Sequence, residues 1–151
     1  MLGDPNFTSK FLPLTFVHSE DGSRWSRAFL KRWTCLGYRF EADGKVIAIS
    51  GDTIACEGLD RLAAGADVLV QCCYLASAEI DSEHFRRLAR HTLACADSVG
   101  KIAAKAGVKT LVLTHHRVRA NDDMLKHVAE EVARDFTGRL IVGSDLMEID
   151  V

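Results

Sequence analysis

The sequence predicts an α/β fold built on a mixed sheet, and three observations carry that prediction. Two apolar, β-branched runs, VIAIS (46–50) and TLVL (110–113), stop abruptly in polar residues, as strands buried on both faces do. Asp43-Gly44 separates two β-rich segments, the strongest short-range signal of a hairpin. Further along, strand-like runs alternate with amphipathic stretches, which is the order of a layered α/β sheet.

Taken in order, MLGDPNFTSK (1–10) has no periodicity and contains Pro and Gly, so it reads as a loosely tied arm. Residues 11–18 read as a strand, at a sheet edge because Pro13 has no N–H for a ladder. WSRAFLKRW (25–33) alternates basic and bulky residues and fits either a short amphipathic helix or a covering loop. Its tryptophans and arginines suit a stacking, phosphate-binding patch as well as a packed core. Residues 1–34 are thus an arm, an edge strand and this segment, and residues 35–151 form the remainder of one domain.

After the hairpin, residues 57–64 read as a helix closed by Gly65, and residues 67–73 as a buried strand. Residues 82–90 form a charged amphipathic helix with Phe85 and Leu88 on one side. Residues 92–106 form a second helix, its stripe made by Leu93, Ala96, Val99, Ile102 and Ala103 and its end by Gly107. A strand follows at 110–114. Asn121 or Asp122 then caps a helix that runs to about Phe136. Residues 139–143 and 146–151 are expected as a terminal pair of strands around Ser144-Asp145.

The chain has 151 residues and a formal net charge of −2, so it is about one domain without a bulk polyelectrolyte signature for nucleic acid or an anionic membrane. A local basic patch is compatible with that balance. Apolar runs fall far short of the roughly 20 residues of a membrane helix, and no secretory leader pattern opens the chain, so a cytoplasmic protein is expected. Five cysteines without a C-x-x-C pair fit neither a disulfide framework nor a zinc knuckle; they read as reduced, packed thiols.

The candidate site lies where the strands end. SGDT (50–53) and LTHH (113–116) deliver metal-capable side chains at the carboxyl ends of strands, where open α/β sheets hold ligands. An aspartate there also serves as a helix cap, and a histidine there is also an ordinary surface residue. GYRFEADGKVIAISGDT, GADVLVQCCY, HTLACADSVGKIAAKAGVKTLVLTHHRVR and GSDLMEIDV resemble the carboxyl-terminal half of the metallo-β-lactamase fold, in the branch of ribonuclease Z and its arylsulfatase-like relatives. The resemblance covers residues 36–151.

It implies half of a four-layer αββα sandwich, a mixed sheet covered by helices; the large apolar face bared without the other half is expected to find a second copy, in a homodimer. It also implies a metal-dependent hydrolase that cleaves a phosphodiester or another small-molecule ester with metal-activated water. Asp52 would take the position of the ligand that bridges two metals and His115 that of the last metal ligand, with zinc as the metal, or manganese or iron. His91 would assist proton transfer, and Arg119 would bind an anionic group of the substrate.

Two departures accompany the resemblance. Relatives that process transfer RNA carry H-E-A-T where this chain has QCCY (71–74), so Cys72 stands in place of the acidic partner of His91 and transfer-RNA processing is in doubt. No H-x-H occurs in the sequence, although the family's H-x-H-x-D-H motif supplies most metal ligands. The isolated chain is therefore expected to be inactive, as a fragment or a shortened reading frame. A non-catalytic binding or assembly module that keeps the fold is the alternative. A nucleotide-binding doubly wound domain is weaker, because no G-x-G-x-x-G or P-loop pattern is present. His116 is a candidate donor behind His115, and His84 and His127 are expected to face water.

Overall fold

A computed structural model describes residues 8–14 and 35–151. Six strands form a single sheet in the order β1-β2-β3-β4-β5-β6: β1 Thr8–Leu14, β2 Cys35–Ala42, β3 Lys45–Ile49, β4 Val68–Cys72, β5 Thr110–Thr114 and β6 Arg139–Val142. The first three are antiparallel and the last three continue parallel from β3, so the sheet is mixed as expected. Asp43 and Gly44 make the β2–β3 turn with φ of 50° and 73°, the left-handed pair that matches strand twist. β1 lies at the edge and begins earlier than expected, while residues 15–18 of the expected strand lie outside the described residues. It takes in Thr8 to Lys10 of the supposed arm, and Pro13 stands opposite Leu36. The 25–33 segment lies outside the described residues.

Among the described residues, four α-helices fill the connections: α1 Glu57–Ala63, α2 Glu83–His91, α3 Ala96–Ala106 and α4 Asp122–Val132. The parallel strands step in one direction, from β3 to β6, and right-handed crossovers along such a run place their helices on one face. Leu59 and Leu62 of α1, Val99 and Ala103 of α3, and Val128 and Val132 of α4 accordingly pack with Ala48, Leu69, Leu111 and Leu113 in one buried core. The neighbouring strand residues Ile47, Ile49, Val70 and Ile141 point the other way, by the pleat, and are only half-buried.

Three expectations about elements are corrected. The helix read over 92–106 starts only at Ala96. The Ala94 N–H donates to the Thr53 carbonyl at 2.8 Å and the Ala94 carbonyl accepts from Tyr74 N–H at 3.1 Å, so tertiary hydrogen bonds displace the first helical turn. Residues 146–151 form no strand: β6 closes the sheet, the chain turns with Met147 N–H bonded to the Ser144 carbonyl, and Leu146 is 99% exposed at φ 62°. A strand needs a ladder partner, and none among the described residues meets this tail. The helix capped by Asn121 ends at Val132 rather than near Phe136, although Phe136 is buried.

Candidate functional site

Asp52 and His115 come together across 63 residues of chain. β3 ends at Ile49, Gly51 turns at φ 63°, and Asp52 follows with its side chain more than half exposed. β5 ends at Thr114, whose carbonyl accepts from Cys73 N–H at 2.9 Å, and His115 leaves the ladder at φ 56°. β4 lies between β3 and β5, so the two side chains meet above its end, where His115 Nδ1 is 2.7 Å from Asp52 Oδ1. The Tyr74 ring, at the same end of β4, stands edge-on to the imidazole at 5.8 Å.

Beneath the pair is a buried polar layer. Thr53, Ser50 and Gln71 are fully buried and Cys72 almost so. The Thr53 N–H donates to Cys72 Sγ at 3.5 Å, and the thiol donates to the Thr53 carbonyl at 3.3 Å, so Cys72 clamps the backbone just after Asp52. Burial pushes the Cys72 thiol up from its ordinary range, which keeps it a neutral donor. Asp52 is not a helix cap. Cys56 is the N-cap of α1, its sulfur accepting from Leu59 N–H at 3.4 Å, so the Asp52 carboxylate remains for His115.

A carboxylate and an imidazole are both donors for zinc and similar divalent metals. Two donors do not make such a centre. No group of three or more His, Cys, Asp or Glu side chains able to hold a metal ion occurs among the described residues. The residues present therefore fit part of a metal site, and completion needs ligands from elsewhere.

No family model matches the chain. It is 34% identical over 119 residues to a ribonuclease Z of Mycobacterium tuberculosis (strain ATCC 25618 / H37Rv), a match that takes in 77% of this chain and 43% of that protein. In structure it is similar to the metallo-β-lactamase fold protein YhfI from Bacillus subtilis, with a TM-score of 0.67 and 19% identity over 94% of this chain and 48% of that one. This chain is a ribonuclease Z relative with the metallo-β-lactamase fold. The short form of human tRNase Z is similar over 99% of this chain and 44% of its own, with a TM-score of 0.63 and 20% identity. The chain thus spans about half the length of the ribonuclease Z relatives it matches.

The other positions carried over from the ribonuclease Z resemblance stand apart from the Asp52–His115 pair. His91 is the last residue of α2, half-buried, and its ring makes no hydrogen bond among the described residues. Cys72 is engaged with Thr53 and with the Gln71 amide, and no bond joins it to His91. Arg119 is exposed at φ 66° with no ion pair among the described residues. His116 does not back His115, because both its ring nitrogens are buried without a hydrogen-bond partner. His84 and His127 are exposed, as expected.

Sequence reasoning missed two neighbours of the site. Tyr74 ends QCCY just as Asp52 and His115 end their own strands, and that shared strand-end position was the available signal. Arg117 carried none: its guanidinium lies 4.7 Å from the Phe85 ring centre and 3.5 Å from Glu79 Oε1, partners distant in sequence.

Proposed function

We propose that this chain contributes Asp52 and His115 to the metal centre of a hydrolase acting on a phosphodiester or another ester, the remaining ligands coming from outside the described residues. The observation that carries the reading is the 2.7 Å approach of His115 Nδ1 to Asp52 Oδ1 above the end of β4, in a ribonuclease Z relative. Zinc is the metal that a mixed imidazole and carboxylate set favours. His91 and Arg119 belong to this reading as groups that would assist proton transfer and hold an anionic part of the substrate.

Metal content per chain, measured on protein purified without chelator, tests it. Zinc in fixed proportion to protein, lost in the Asp52→Ala, His115→Ala double variant, is the expected result. Absence of metal in both proteins sinks the reading for this chain and leaves a non-catalytic assembly module. Two observations favour that second reading: no third metal-capable side chain joins the pair among the described residues, and Cys72 is occupied by Thr53.

We further propose a homodimer in which a second copy covers the sheet face opposite the helices. Ile47, Ile49, Val70 and Ile141 are half-buried on that face, and apolar sheet faces of this kind serve as contact surfaces.

A further inference from the structure

Beyond Thr114, no β5 ladder bond holds the chain, and two non-glycine residues, His115 and Arg119, sit at φ 56° and 66°. Left-handed backbone is unfavourable for such residues and persists only where surroundings over-determine it. Within the loop itself the only backbone bond is Ala120 N–H to the Arg117 carbonyl. Among the described residues, side chains hold the segment, and Arg117 supplies two of the contacts. It lies over the Phe85 ring on α2 and faces Glu79 Oε1.

Both partners are themselves anchored. The other Glu79 oxygen accepts from Ala76 N–H at 3.0 Å, and Ala76 is buried. Phe85 N–H donates to the Ser82 cap of α2. Glu79 Oε1 is buried with no hydrogen bond, so Arg117 is its charge partner among the described residues. A half-buried guanidinium stacked on a ring and facing a buried carboxylate oxygen is a firm attachment, since both contacts are partly withdrawn from water.

We propose that Arg117 is a positioning residue: held by Phe85 and Glu79, it fixes the loop that presents His115 to Asp52. The proposal rests on the reading of Asp52 and His115 as the functional pair. It adds that α2 and the Ser77–Glu79 turn are the platform on which one member of the pair is mounted. Lysine is a poor substitute, because it offers a point charge to Glu79 but no planar fork to lie on the ring.

The test uses the full chain with 15N-labelled histidine at one fixed pH. It reads the His115 ring nitrogen signals together with exchange of the Ala120 amide, which is bonded to the Arg117 carbonyl. Asp52→Ala supplies the signal of an unpaired ring. Arg117→Ala is expected to move the His115 signal toward that reference and to speed exchange of the Ala120 amide by about tenfold, a loss comparable to a partly desolvated cation–π contact with its ion pair. Arg117→Lys is expected to fall between.

Should Arg117→Ala disturb the amides of β4 and β5, Phe85→Leu decides instead, since it removes the ring and keeps the ion pair. Wild-type His115 signals in whichever of these variants is decisive overturn the proposal. A wild-type signal already equal to that of Asp52→Ala means the pair itself does not form, which overturns both this proposal and the site reading. An intact signal in protein that binds no metal leaves the positioning role standing and removes only the hydrolase.

Discussion

Lys109 Nζ lies 2.6 Å from one oxygen of Asp67, and the other oxygen accepts from Val46 N–H at 2.8 Å, so one side chain ties the starts of β3, β4 and β5 together. The Lys109 hydrogen bond, and then the Val46 N–H, hold the Asp67 carboxyl below the usual carboxylate range. A depressed carboxylate stabilises the fold above its unfolded value, and that contribution is lost as pH falls through the folded one. At the other end of the scale, burial and the nearby Asp97 push the Cys95 thiol up to about 11. A raised thiol is neutral in the folded protein while the unfolded one ionises, so its contribution is complete below the unfolded value and fades from about pH 9 to about 11. Stability measured against pH should therefore fall on both limbs. Asp67→Asn should flatten the acid limb, and Cys95→Ala the alkaline limb. Unchanged limbs would show that these groups are not the ones linked to folding.

Glycine decides the element boundary that leads to Asp52. At Gly51, φ is 63° and an added Cβ would stand 2.9 Å from the Leu36 carbonyl oxygen, so the chain can leave β3 toward Asp52 only without a side chain. Gly51→Ala should cost roughly 1–3 kcal/mol, as strained backbone does, and should displace Asp52; thermal unfolding and the His115 ring signal measure the two effects. No loss of stability would mean that β2 gives way easily. The α3–α4 contact is closer still, since a Cβ at Gly100 would meet the Val132 carbonyl oxygen at 2.5 Å. Helix ends follow local chemistry: Asn121 Oδ1 accepts from Met124 N–H at 2.9 Å, and Gly107 closes α3 at φ 67°. That chemistry is written in neighbouring residues, which is why the Asn121 cap and the Gly107 stop were legible beforehand. The first turn expected at 92–95 was not, because its competitors, Thr53 and Tyr74, are remote in sequence.

At the scale of the whole molecule, the monotonic order from β3 to β6 puts the helices on one face and leaves Ile47, Ile49, Val70 and Ile141 on the other. If a second copy covers that face, light scattering will report twice the chain mass, and Val70→Lys, placing a charge mid-face, will return a monomer. A monodisperse wild-type monomer would refute the dimer. No helix among the described residues is long and apolar enough to cross a membrane. The mixed sheet, its hairpin and the strand ends at Asp52 and His115 were readable in the sequence, because periodicity, turn residues and strand-end motifs are local signals, and the ribonuclease Z relationship was readable there as a resemblance of whole segments. Only the tertiary structure decided that Cys56, not Asp52, caps α1, that Cys72 serves Thr53, that residues 146–151 pair with no strand among the described residues, and that Arg117 is anchored on Phe85 and Glu79. Each of these depends on which distant group comes within hydrogen-bonding or stacking reach, and that is set by how the helices and strands pack rather than by any pattern along the chain.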